Sequence, residues 1–194
     1  MERINKIVRI LTVAPIQAII LILTLFFAAP QYGITGWQAF FSILFLAVLP
    51  ALAYPLQRFM PHFKDKGRKG QRDLAIVFSV AGYVCGIIYT LVLQPHRVLA
   101  VVYLTYLLSG IAIALFSALT PIKASGHACG IVGPMVTICR YVSWWGLVLL
   151  VFYAMAFVSS LQMKRHTWQE FLAGSAIPVA ALFISEWLVG LAVR

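Results

Sequence analysis

Between residues 8 and 191 the chain is apolar in one long run after another, and most of these runs match the thickness of a bilayer. A helix crossing about 30 Å of hydrocarbon needs about 20 apolar residues at 1.5 Å each. The stretches 8–29, 37–57, 74–93, 98–119, 141–158 and 166–191 meet or approach that length, and 125–139 falls at its low end. Polar or proline-marked breaks separate them at 31–36, at 94–97 with Pro95, at 120–123 with Pro121, and at 159–165. The stretch 58–73 is the one strongly polar loop. Inside lipid every backbone N–H and C=O must be satisfied within the segment, which leaves the helix as the form for such runs. The sequence therefore predicts an all-α, polytopic transmembrane helix bundle of six to seven spans. With no repeat or linker, residues 1–194 form a single integral membrane domain.

Composition excludes the soluble alternative. Hydrophobic residues make up 62% of the chain and charged residues 10%, against about 25% charged in soluble domains. A chain this short cannot hide so much apolar surface in its own interior, so lipid covers the rest. Fifteen Lys and Arg against five acids give a formal charge of +10. These cations gather at the ends of the apolar runs, which points to topology and anionic headgroups and away from nucleic acid. Cys85, Cys129 and Cys139 lie in apolar stretches without a CxxC pair and read as structural thiols. The basic N-terminus leads into a run too long for a cleavable signal, so it reads as the first span. Pro15 marks a kink in that span. Gly126 and Gly130, four apart, either admit a close neighbouring helix or reflect the abundance of glycine in membrane helices.

Alternating the spans puts the N-terminus and the loops 58–73, 120–124 and 159–165 on one face. That face holds Arg3, Lys6, Arg9, Arg58, Lys64, Lys66, Arg68, Lys69, Arg72, Lys123, Lys164 and Arg165. The other holds Arg97, Arg140 and Arg194. The positive-inside rule makes the first face cytoplasmic, in the cell membrane.

Titratable groups at the edge of a span are costly and usually functional. His127 opens the 125–139 segment and His166 opens the last, with Glu170 four residues on. On a helix that spacing brings carboxylate and imidazole to one face. Glu170 would then fix the tautomer of His166 and leave its other nitrogen to attack. An interfacial His–Glu pair that only closes a helix end is the alternative. His62 and His96 read as solvated loop residues. Two histidines, a carboxylate and clustered cations on one face suit phosphoryl transfer, in which cations neutralise the phosphoryl oxygens and a histidine protonates the leaving oxygen.

Ala124-Ser125-Gly126-His127 and Ser159-Ser160-x5-His166-x3-Glu170 resemble the second and third motifs of the membrane-bound type 2 phosphatidic acid phosphatase superfamily, P-S-G-H and S-R-x5-H-x3-D. The motif-bearing part covers residues 58–175. Ala124 stands where the family has proline, Ser160 where it has arginine, and Glu170 where it has aspartate. The first motif, K-x6-R-P, is not intact, because Asp73 follows Arg72. The resemblance implies that His166 is the nucleophile, Glu170 its orienting acid, and His127 the acid on the leaving alcohol and then the base on water. It implies a phosphate held by Lys123, Ser125, Gly126, Arg68, Arg72, Lys66 and Arg165, with no metal and no cofactor. The implied partner is a membrane lipid phosphate or diphosphate, polyprenyl or glycerolipid, met at the cytoplasmic leaflet. Nucleic acid is not expected, and a homo-oligomer is left open. A lipid-binding or assembly subunit with an eroded site is the alternative, and solute transport is a more distant one.

Overall fold

The computed structural model describes residues 12–120, 122–163 and 166–192, with the backbone alone of Arg68, Arg72, Leu191 and Ala192. The predicted N-terminal cations Arg3, Lys6 and Arg9, together with Pro121, Lys164, Arg165 and Arg194, lie outside the described residues. All the regular structure among those residues is helical. In chain order the helices are α1 (Ala14–Ala28), α2 (Gly36–Phe59), α3 (Pro61–Lys64), α4 (Gly67–Leu93), α5 (Arg97–Leu119), α6 (Gly126–Tyr141), α7 (Trp144–Gln162) and α8 (Trp168–Ala192). Five of these, α2, α4, α5, α7 and α8, are long and apolar enough to cross a membrane. The six to seven predicted spans thus reduce to five long helices and two shorter ones.

The short helices are α1, with 15 residues, and α6, with 16. At 1.5 Å per residue each falls short of the hydrocarbon thickness. They lean on one another: a Cβ at Gly130 of α6 would sit 2.8 Å from that of Ala14. Gly126, the other glycine of the spaced pair, meets nothing within 4 Å, so close approach explains only the second glycine. α8 packs on both α5 and α6, and α4 packs between α2 and α5. The interior is filled by Leu21, Ile22, Leu25, Leu99, Ile131 and Phe171, and by Tyr103, whose hydroxyl lies 2.8 Å from that of Ser42. Large apolar side chains also cover the outside, among them Phe27, Leu91, Leu119 and Phe183, each more than half exposed. That distribution suits a lipid-facing surface.

Several boundaries differ from the sequence reading. The polar loop 58–73 is largely helical: α2 runs to Phe59, α3 covers Pro61–Lys64 and α4 starts at Gly67. Apolar content stops at the lipid boundary, but i→i−4 hydrogen bonding continues into water. Pro15 does not kink a span; it sits in the first turn of α1, where no donor is missed. Ser159 and Ser160 lie inside α7, with Ser159 buried, and form no polar interruption. His166 precedes α8, which begins at Trp168.

The connections sort into two ends. At one lie the start of α1, the α2–α4 linkage, the α5–α6 loop and the start of α8. At the other, the Tyr32 hydroxyl donates to the Tyr141 carbonyl at 2.8 Å and the Tyr32 ring lies 4.8 Å from that of His96. There too Arg140 meets Glu186 at 2.9 Å. Exposed Trp37, Trp144, Trp145 and Trp187 cluster at this second end, as indoles do at a membrane–water interface.

Candidate functional site

The α5–α6 loop meets the start of α8 through one carboxylate. Glu170 is the third residue of α8, and its Oε2 accepts from the Thr167 N–H at 3.0 Å, while its own N–H donates to the Thr167 hydroxyl at 3.2 Å. This is a reciprocal capping box, satisfying two donors that a helix start otherwise leaves unmet. The Glu170 Oε1 accepts from the Lys123 N–H at 3.2 Å, and the Glu170 carbonyl accepts from the Ser125 N–H at 2.9 Å. The side chain thereby ties residues 123–125 to the last helix. Gly174, one turn along α8, lets the two backbones touch: a Cβ there would collide with Ser125, whose nitrogen would lie 2.8 Å away.

On the same carboxylate, His166 Nδ1 lies 3.1 Å from Oε2. The predicted His166–Glu170 pair therefore forms, but by another route. His166 is not helical, and the contact comes from the chain folding back over the Thr167 cap. Thr167 carries this geometry and is absent from the predicted site. Its signal was legible in Thr167-Trp168-Gln169-Glu170, the spacing of a capping box.

His127 and His166 both line one cavity of about 630 Å³, along with buried Ala124 and, at its mouth, exposed Gly126. The cavity is walled by α1, α2, α4, α5, α6 and α8, and Ser79, Tyr83, Tyr106, Ser109 and Cys129 are among its lining residues. Pro50, Pro134 and Pro178, each within a helix, also line it. A proline withdraws one backbone donor and loosens local packing, which leaves room beside it. Gln71 reaches the wall from the first turns of α4, next to Arg72 in sequence. Sequence reasoning missed Gln71, Tyr83 and Tyr106; single polar residues within apolar runs gave no spacing to recognise.

The predicted phosphate ligands divide. Gly126 is exposed at the mouth, and a Cβ there would meet nothing, so its backbone can be approached closely. Lys123 is exposed beside it. Ser125 is fully buried, and its Oγ accepts from the Ala128 N–H at 3.4 Å as the N-cap of α6. The start of α6, with its positive dipole end, thus lies at the mouth. Lys66 Nζ lies 2.9 Å from His62 Nε2 on the exposed turn before α4. Arg68 and Arg72 belong to the first turns of α4, and Arg165 lies outside the described residues. His62 and His96 are exposed, as expected, but His96 Nδ1 also accepts from the Val98 N–H to cap α5. Among the described residues no three His, Cys, Asp or Glu side chains converge as a metal site would require.

Comparison with the models of protein families, with curated proteins and with solved structures finds no match for this chain.

Proposed function

We propose that this membrane protein is a metal-independent lipid phosphatase, hydrolysing a phosphate monoester or diphosphate of a membrane lipid through a phosphohistidine. The observation that carries the reading is the shared cavity: His127 and His166 line the same opening, with Glu170 at Nδ1 of His166. With Nδ1–H donated to Glu170, Nε2 of His166 holds the lone pair and attacks phosphorus. The bond from phosphorus to the leaving oxygen breaks, the ester oxygen of a monoester or the bridging oxygen of a diphosphate, and that oxygen takes a proton from His127. Water then attacks the phosphohistidine, giving its proton to His127, and the P–N bond breaks to release phosphate. In this reading the α6 N-terminus and Lys123 would offset the charge that the phosphoryl oxygens gain. The lipid tail occupies the apolar part of the cavity.

The test is phosphate release from a panel of lipid phosphates by the purified protein and by His166→Ala. Turnover by the wild type and none by the variant is expected. Equal release by both on every lipid would end the assignment.

The same basic bias that orients the sequence assigns this end to the cytoplasmic side of the cell membrane. With Cys85, Cys129 and Cys139 replaced, Lys69→Cys and Arg97→Cys should label from opposite sides, since both positions are exposed and belong to opposite ends. An impermeant thiol reagent should reach only Arg97→Cys in intact cells. Labelling of Lys69→Cys instead would reverse the orientation and the leaflet of the substrate.

A non-catalytic lipid-binding subunit is the second reading. It is favoured by the full structural employment of Glu170 and Ser125, which cap α8 and α6 whether or not chemistry follows.

A further inference from the structure

The residues lining the cavity recur at helical spacing, so its depth follows from the helix rise. On α4 they include Gln71, Ala75, Ser79 and Tyr83, each four residues after the last and therefore on one face. From Gln71 to Tyr83 that face runs about 18 Å, at 1.5 Å per residue. On α2 the lining runs inward from Tyr54 through Pro50 to Leu46 with the same spacing. The Tyr83 and Tyr106 rings, 5.5 Å apart, put the deep lining of α4 and α5 at one level.

Beyond that level the bundle is shut. Tyr103, one turn past Tyr106 on α5, is fully buried. Its hydroxyl lies 2.8 Å from that of Ser42, one turn past Leu46 on α2. A Cβ at Gly86, one turn past Tyr83 on α4, would fall on its ring. One side chain thus bridges three helices and floors the space between them. On the other walls Ala18 of α1, Ile138 of α6 and Leu182 of α8 stand about one turn past the lining, all buried. The cavity is therefore blind, with its histidines toward the near end. Its depth slightly exceeds half of the hydrocarbon core, about 15 Å, which is the span of one membrane acyl chain. Its volume of about 630 Å³ holds about 20 groups of about 30 Å³, the share of a water and close to that of a methylene. One acyl chain with its glycerol fills that space. A second chain does not fit, and a long polyprenyl chain meets Tyr103.

We propose that the cavity is a blind channel for one acyl-length tail, floored by Tyr103, so that the site takes a single-tailed lipid phosphate in preference to two-tailed and long polyprenyl phosphates. This rests on the phosphatase reading for the headgroup, but the limit on the tail is its own content.

The experiment gives the full-length protein, in detergent micelles, monoacylglycerol phosphates with octanoyl, palmitoyl and lignoceroyl tails, dipalmitoyl phosphatidic acid and a long polyprenyl phosphate. Turnover is read as phosphate release. Binding is read as displacement of radiolabelled palmitoyl monoacylglycerol phosphate from His166→Ala, which does not consume it. The palmitoyl lipid should exceed the lignoceroyl, dipalmitoyl and polyprenyl lipids by about tenfold or more in both, since a single methylene in an apolar pocket is worth about 10–200-fold. Val80→Phe fills the channel nine residues inward of Gln71, and should lower the palmitoyl-to-octanoyl ratio by about tenfold or more. Ala75→Phe, nearer the mouth, should lower it too. Val77→Phe adds the same bulk on the exposed face of α4 and should leave the ratio at the wild-type value. Melting temperatures show which variants are folded, and the wild-type series decides by itself if neither filling variant is. Equal use of one-tailed and two-tailed phosphates, a wild-type ratio in a folded filling variant, or no displaceable binding would overturn the proposal. A tail limit in binding with no phosphate released from any lipid would uphold it and reject the phosphatase. Phosphate released from every lipid alike would do the reverse.

Discussion

The two ends of the bundle use similar side chains to opposite effect. At the far end Glu186 accepts from Arg140 at 2.9 Å and from the Tyr141 hydroxyl at 2.7 Å, and Tyr32 closes onto the Tyr141 carbonyl. Every group named there bonds another part of the protein. At the near end Glu170 is equally engaged, but one of its partners, His166, also forms part of the cavity wall with His127. An acid that anchors a helix end is ordinary. An acid that anchors a helix end and also holds an imidazole in a cavity wall is what the proposed phosphatase requires. The difference lies in what stands beyond the acid's partners: protein at one end, an open cavity at the other.

The strongest way to break that contrast is to remove the histidines. His166→Ala should cost at least about 10⁴-fold in turnover, as loss of a nucleophile does. His127→Ala should cost about 10²–10⁴-fold on a lipid phosphate, and less on an aryl phosphate whose leaving oxygen needs little protonation. Equal losses on both substrates would remove the leaving-group acid from His127. Neither change should affect the far end, so melting temperatures should stay close to that of the wild type.

Glu170→Gln sharpens the comparison next. The carboxylate accepts from Thr167 N–H, Lys123 N–H and His166. An amide offers one acceptor oxygen and turns donors toward the rest. Turnover should fall by less than for His166→Ala, and stability should fall by about 0.5–2 kcal/mol, the range for losing a helix cap. Chemical denaturation and phosphate release on one preparation measure both. Glu170→Asp keeps the charge and shortens the arm; full activity in that variant would show that charge matters more than reach.

Gly174→Ala tests the scaffold without touching a polar group. The added methyl meets the Ser125 backbone, which cannot rotate away as a side chain would. A loss of about 1–3 kcal/mol is expected from such overpacking, with turnover reduced because the loop leading into His127 and α6 shifts against α8. Wild-type activity and stability together would mean that residues 123–125 are not held where the cavity geometry requires.

How far the sequence carried can be judged from particular residues. Span length made α2, α4, α5, α7 and α8 legible, since a bilayer sets one length for all. It failed at Gly67–Leu93, whose first turns are polar, because hydropathy reports the solvent and not the helix. The pairing of His166 with Glu170 was legible from spacing alone, although the geometry behind it was not: an i,i+4 contact arises on a helix face or across a capping box, and only Thr167 distinguishes them. The meeting of His127 with His166 on one cavity depends on α8 packing against the α5–α6 loop through Gly174. A lone glycine in an apolar run does not announce such a contact. Tyr106 was illegible for a related reason, since a tyrosine within a span reads alike whether it faces lipid, core or cavity.

The smallest expected effect is the most direct check on the division between the ends, because it repeats the Glu→Gln change at the far one. Glu186→Gln keeps an oxygen that can accept from the Tyr141 hydroxyl and removes the charge facing Arg140. Arg140 is 57% exposed, so water already screens much of that attraction. Such a pair contributes about 0–1 kcal/mol. Stability should therefore fall by about 0.5 kcal/mol or less, and turnover should not change. Measured beside Glu170→Gln under the same conditions, the two variants isolate position from chemistry. If Glu186→Gln lowers turnover as far as Glu170→Gln does, the far end is coupled to the reaction. The contrast between a closing cluster and a working one would then be lost.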